Sequence, residues 1–198
     1  IDHNSTFGSF ETGRLALAWR PDGATTVRAA IATGYRAPSI DERFGDYATQ
    51  AFVGNPALTP EESLSYELGV EREFGNGATL SATLFQLNVN NQIAYAPCPL
   101  TPAWSCVPGT LNTLNNIPGT SVRKGVEIAA NLPLGERANL GLGYTYTDAR
   151  RQTGARIGLV PRHELDLTLS GEVTDRLSGA VSVKYVADRM DDFAFAAM

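Results

Sequence analysis

The side chains of this 198-residue chain that could do chemistry are few: two cysteines, two histidines and some scattered acids. Cys98 and Cys106 lie close together in a stretch stiffened by Pro97, Pro99 and Pro102. That spacing suits a short disulfide ring. A metal site would need further ligands that the neighbourhood does not supply. His3 and His163 are far apart and lack cysteine or carboxylate neighbours at ligand spacing, so neither is expected to bind metal or to catalyse. Asp41, Glu42 and Asp46, with Asp188, Asp191 and Asp192, could chelate calcium, but no calcium-loop pattern frames them and they read as solvated loop acids. Ser39 and Ser170 have no plausible base partner, and no glycine-rich phosphate cradle joins a strand to a helix. No catalytic residue, resident cofactor or metal is therefore expected. Another set of side chains has a different use. Tyr47, Phe52, Tyr95 and Trp104 stand in otherwise polar segments, where such residues either pack locally or meet a ligand.

The elements that must carry these residues are strands. Leu15, Leu17 and Trp19 alternate with Ala16, Ala18 and Arg20, and Val27, Ala29, Ile31, Thr33 and Tyr35 alternate with Arg28, Ala30, Ala32 and Gly34. The same period recurs at Leu64 to Val70, Val126 to Leu132, Leu140 to Tyr146, Leu165 to Leu169 and Val181 to Tyr185. Period-two alternation marks strands with one apolar and one polar face. Only 78–93 changes parity, from Leu80, Ala82 and Leu84 to Phe85, Leu87 and Val89, which predicts a bulge near Leu84. The connections alternate as well. Short turns at 21–23, 75–77, 133–136 and 173–176 are separated by long excursions at 37–61, 94–119 and 149–160. Unstructured loops of about 25 residues are uncommon in compact domains, whereas short turns on one side and long loops on the other are the rule in outer-membrane barrels.

Two physical checks separate a membrane barrel from a soluble sandwich. Strands of about 12 residues at ~3.3 Å each, tilted near ~45°, project onto roughly 28 Å, which matches an apolar band about 25 Å tall. Aromatic residues on the apolar parity gather at the strand ends: Tyr35, Tyr144, Tyr146 and Tyr185 toward the long loops, Trp19 and Phe74 toward the short turns. The opposite parity carries Arg14, Arg28, Glu67, Glu71, Glu127, Asp166 and Lys184, too many ions for a small dry core. A mean hydropathy of -0.13 excludes helical membrane spans but not strands, and a net charge of -5 with scattered basic residues leaves no footprint for nucleic acid. The expected fold is all-β, an antiparallel meander of about eight strands belonging to a larger transmembrane barrel. Leu17, Ile31, Leu68, Ile128, Leu142, Leu167 and Val183 are expected to face lipid, and Arg28, Glu67, Glu127, Asp166 and Lys184 the lumen.

Local strings strengthen this reading. Tyr35-Arg36-Ala37-Pro38-Ser39 closes one strand, and Gly54-Asn55-Pro56-Ala57-Leu58-Thr59-Pro60-Glu61 leads into Ser65-Tyr66-Glu67-Leu68-Gly69. Lys124-Gly125-Val126-Glu127, Tyr144-Thr145-Tyr146-Thr147-Asp148-Ala149, Pro161-Arg162-His163 and Tyr185-Val186-Ala187-Asp188-Arg189 follow in order. Together they resemble the TonB-dependent receptor family, over about positions 35 to 189. The resemblance implies a barrel of about 22 strands plugged by an N-terminal domain. It also implies energy-coupled import of a ferric siderophore, haem, cobalamin or similar ligand across the outer membrane of a Gram-negative bacterium. Residues 1–198 would then be a partial barrel domain, without plug or terminal strands. Its partners would be outer-membrane lipid, the TonB protein acting through the plug, and a small-molecule ligand. A small self-contained structural or adhesion barrel is the rival expectation, since it too would have about eight strands.

Overall fold

In a computed structural model, residues 1–47, 52–98 and 112–190 are described. The elements run β1 (Asp2–Asn4), β2 (Gly8–Phe10), β3 (Arg14–Trp19), β4 (Thr25–Arg36), α1 (Ile40–Phe44), β5 (Asp46–Tyr47) and β6 (Phe52–Val53). They continue with β7 (Glu61–Glu73), β8 (Thr79–Pro97), β9 (Asn112–Leu134), β10 (Ala138–Arg150), β11 (His163–Thr174) and β12 (Leu177–Ala187). Eight strands follow one another across a single sheet in the order β3-β4-β7-β8-β9-β10-β11-β12, the expected sequential meander.

Turn chemistry holds the short connections. Asp22 Oδ1 accepts from the amides of Ala24 and Thr25, Asn76 Oδ1 from Ala78, and Thr174 Oγ1 from Arg176. Gly77 and Gly135 adopt φ of 79° and 69°, open to glycine at little cost.

Register sorts the faces. Leu142 lies opposite Leu167 and Ala130, Tyr144 opposite Leu165 and Ile128, and Leu167 opposite Val183. One residue over, Thr145 lies opposite Glu127 and Glu164, and Asp166 opposite Lys184. Directly opposed residues share a face, so the expected apolar set and the expected charged set of these strands are on different sides.

At the parity change in β8 the structure places Phe85 against a glycine. Here β8 is one continuous strand, and the Phe85 ring lies over Gly125, whose added Cβ would stand 2.7 Å from it. Gly125 pairs with Thr147 and shares the face of Glu127. Phe85 is thus an aromatic on the polar side, fitted over a glycine. Gly69 is matched in the same way to Thr83 Oγ1, at 3.1 Å from its would-be Cβ.

Three further features were not foreseen. The hairpin β1–β2 is turned by Asn4, whose side chain accepts from the amides of Thr6 and Phe7. That hairpin covers Tyr35, which stacks on Phe10 at 4.1 Å and donates to Asp2, so Tyr35 is not a free girdle residue. Thirdly, β8 and β9 run well into the expected loop 94–119, to Pro97 and from Asn112. The chain forms two compact units, one of residues 1–13, 32–64 and 88–121 and the other of 14–31, 65–87 and 122–198.

Candidate functional site

In the first unit the strings around Arg36 and Asn55 interlock. Pro38 has no amide to donate and ends the β4 ladder. Ser39 then caps α1, its hydroxyl accepting from Glu42 N while Glu42 Oε2 accepts from Ser39 N at 2.7 Å. This capping box, Ser39 with Glu42 three residues on, was legible in the sequence and passed over. Arg36 locks it in place: Nη1 donates to both oxygens of Glu42 at 3.0 and 2.9 Å, and Nε to Glu61 Oε2 at 2.9 Å. The other Glu61 oxygen accepts from Ile93 N at 2.6 Å, fixing the clamp to β8. Burial disfavours ionised Glu42, but Arg36 and the Ser39 amide outweigh it and hold the carboxyl below its ordinary value.

The second string closes over the helix. Gly54 N donates to Gly45 O and Asn55 N to Glu42 O, and a Cβ on Gly54 would come within 2.7 Å of the Arg43 and Phe44 backbone. Asn55, only 4% exposed, donates to Leu114 O and Asn115 Oδ1 and accepts from Ala57 N. Leu58 packs with Ile93 and Leu114, the small core of this unit, with Phe52 against it. Arg43 bonds Pro56 O and lies 5.0 Å from the Phe7 ring and 4.8 Å from that of Phe44.

Beside this core, the structure brings together three of the four singled-out aromatics. Tyr47 and Phe52 are 6.1 Å apart, Phe52 meets Tyr95 edge-on at 5.8 Å, and Tyr47 donates to Asp41 at 2.6 Å. Tyr95 stays 62% exposed and Tyr47 41%, so local packing leaves their faces accessible. With Ile93 and Leu114 they line a cleft of about 620 Å³. Trp104 and Cys106 lie outside the described residues. Cys98 is buried and is not a free thiol.

The second unit interlocks the remaining strings. Tyr144 and His163 hydrogen-bond at 2.8 Å, placing His163 at a strand end as a structural partner. Asp188, at a left-handed φ of 53°, accepts from Arg156 at 2.8 Å and Arg162 at 3.3 Å. The Arg156 hydrogen bond, with both guanidinium charges, holds its carboxyl below the ordinary value. Asp148 receives Arg150 at 2.8 Å and approaches Arg162 at 3.6 Å. The loop acids Asp188, Asp41 and Glu42 are thus engaged by arginine or tyrosine. On the polar face, Arg14–Glu67 (3.7 Å), Arg28–Glu71 (3.1 Å) and Lys184 with Glu164 (2.9 Å) form cross-strand ion pairs.

Known proteins resemble this chain in sequence and in fold. The family model for the TonB-dependent receptor-like β-barrel matches residues 1–196. The chain belongs to the TonB-dependent receptor family. An iron-regulated outer membrane virulence protein of Vibrio cholerae is 30% identical over 204 residues, covering 96% of this chain and 31% of that protein. A vitamin B12 transporter of Photobacterium profundum is 28% identical over 152 residues, covering 75% and 22%. A ferric enterobactin receptor variant of Pseudomonas aeruginosa, solved with enterobactin, superposes with a TM-score of 0.78 at 25% identity, over 93% of this chain and 29% of that one. The chain thus spans less than a third of the length of these receptors. Outer-membrane location is typical of the family, and its antiparallel strands correspond to the meander described above.

Proposed function

We propose that this chain is part of an outer-membrane receptor that captures a scarce nutrient and admits it by TonB-coupled transport. The ligand is a small molecule, an iron chelate or a cobalamin, as the names of its relatives have it. The family match over residues 1–196 carries this reading. The segments 37–61 and 94–119 supply an external capture surface, with Tyr47, Phe52, Tyr95 and Trp104 offering apolar faces to the ligand. The Arg36 clamp supports this: it ties the first segment to the sheet, so less ordering is left to the moment of binding. TonB would act through the plug of the whole receptor.

Growth complementation tests the proposal. The full-length receptor is expressed in a Gram-negative host stripped of its own siderophore and cobalamin receptors, with and without TonB. Growth on one ligand class that needs TonB is the expected result. Growth on none, or growth independent of TonB, would return the chain to a structural or adhesion role. Deleting 97–108 should lower ligand affinity, and unchanged affinity would remove that loop from the capture surface.

A further inference from the structure

The surface proposed for nutrient capture has a charge as well as aromatic faces. Segment 37–61 holds the acids Asp41, Glu42, Asp46 and Glu61 and a single base, Arg43, and segment 94–119 holds no charged side chain. Arg36, entering from β4, is spent on Glu42 and Glu61. Arg43 is held by the Pro56 carbonyl and the Phe7 and Phe44 rings. Asp41 and Asp46 are left over, and neither makes a salt bridge among the described residues. With Arg36 included, the two segments carry a surplus of two negative charges.

One of the surplus acids stands in the aromatic cleft. Asp41 and Glu42 line it together with Tyr47, Phe52 and Tyr95. Glu42 is turned to Arg36 by two hydrogen bonds, whereas Asp41 accepts from the Tyr47 hydroxyl, a neutral donor. That bond holds the Tyr47 phenol above its ordinary value, because ionisation would set two anions side by side. Tyr47 therefore stays a neutral ring beside a carboxylate, and Tyr95 presents a second tyrosine face, largely exposed. A carboxylate beside open tyrosine rings suits a cation: the ring quadrupoles and the carboxylate charge both attract an ammonium group. The same surface disfavours the approach of an anion.

We infer that this cleft receives an ammonium group carried by the ligand, Asp41 pairing with the charge and Tyr47 and Tyr95 covering it, so that the nutrient captured here is a cationic iron chelate and not a polyanionic one. An iron chelate can offer such a group as a side arm; a cobalamin, whose side chains are amides, does not. The inference rests on the nutrient-capture reading and adds to it the charge of the ligand.

Isothermal titration of the full-length receptor in neutral detergent tests it, with iron(III) chelates as probes. They are the chelate of desferrioxamine B, whose free amine makes it a cation, its N-acetylated form, neutral on the same chelate, and a tris-catecholate trianion. Heat-modifiable electrophoretic mobility confirms that each variant is folded. The cation should bind about tenfold more tightly than its acetylated form, the effect of one cation–π contact and one screened charge pair, and the trianion should bind most weakly. Asp41→Asn, whose amide oxygen can still accept from Tyr47, should shrink the preference to about threefold and leave the acetylated form unchanged. Tyr95→Ala should weaken the cation, and Asp175→Asn, on the turn between β11 and β12, should change neither probe. Equal binding of the cation and its acetylated form by the unaltered receptor would overturn the inference, as would tightest binding of the trianion or binding of none of the three. Those comparisons need no variant. A preference unchanged in Asp41→Asn would also refute it. The capture reading fails separately, by growth that never depends on TonB, whereas titration needs neither TonB nor transport.

Discussion

Replacing Arg36 by alanine should loosen the segment around α1 while leaving the sheet intact. The side chain makes three charge-assisted hydrogen bonds, two to Glu42 and one to Glu61. Glu61 is 15% exposed at its side chain and Glu42 23%, so removal leaves two largely buried carboxylates without their shared cation. A fully buried pair broken in this way costs about 3–5 kcal/mol. Arg36 itself is 47% exposed, and solvent screening reduces that to about 2 kcal/mol. The loss is local, because Glu42 caps a single-turn helix whose contacts run to Gly54 and Asn55. Hydrogen-exchange mass spectrometry of the full-length receptor reads it directly: amides in 39–47 and 52–58 should exchange about 30-fold faster, the equivalent of 2 kcal/mol. Acid supplies a second check. Glu42 is held below its ordinary value of 4.5, so its contribution is complete above pH 4.5 and fades as pH falls through the lower folded value. The variant lacks the Arg36 share of that contribution throughout. Its deficit relative to the unaltered receptor at the same pH should therefore be full at pH 7 and shrink as acid protonates Glu42. Exchange within threefold of the unaltered receptor at pH 7, or a deficit that grows in acid, would show that Arg36 does not hold this segment.

Other perturbations have equally definite outcomes. Leu142→Arg, on the face shared with Leu167 and Val183, should cost roughly 2–4 kcal/mol if it lies near the bilayer midplane, read by reversible folding into lipid. Gly125→Ala should cost about 3 kcal/mol in the same assay, since the added Cβ meets both the Phe85 ring and the Tyr146 carbonyl; Phe85→Ala should restore only part, because the carbonyl is fixed in the ladder. Cys98 and Cys106 should be joined, worth about 2.5 kcal/mol to the loop in the chain-entropy model, and mass spectrometry of unreduced receptor should find neither thiol free.

The sheet was legible because a membrane imposes a pattern. Lipid on one side and polar surroundings on the other force every residue of a spanning strand to choose, and Leu142 with Asp166 or Val183 with Lys184 record the choice. Where that constraint ends, the pattern ends while the strands continue. Beyond Asn90, β8 and β9 are joined by polar groups: Thr120 to Asn90, Ser121 to Gln92, and Asn116 to the Asn91 carbonyl. Such a ladder has no apolar parity, so 94–119 reads as loop although β8 reaches Pro97 and β9 begins at Asn112. The place of Phe85 was not legible for a related reason. Its partner is a glycine far along the chain on β9, and a vacancy of that kind cannot be read from alternation.

The candidate site was half legible, and the half that was missed explains the strings that marked the family. Arg36 and Glu61 are apart in sequence, as are Asn55 and Leu114, Asp148 and Arg162, or Arg156 and Asp188. Arg36 with Glu61, Tyr144 with His163, Asp148 with Arg162 and Arg162 with Asp188 each join one string to another. Arg36 needs both Glu42 and Glu61; Asn55 needs the β9 backbone; Asp188 needs two arginines from the connection between β10 and β11. Read singly, Arg36-Ala37-Pro38 says only that the chain leaves a ladder. Read together, the strings specify how connections without a lipid-facing pattern are fastened to strands that have one. The aromatics follow the same logic. Phe52 is held against Leu58, Ile93 and Leu114, and from that anchor Tyr47 and Tyr95 keep their exposed faces. The proposed capture surface would thus present open apolar faces above a fastening of hydrogen bonds and packed side chains.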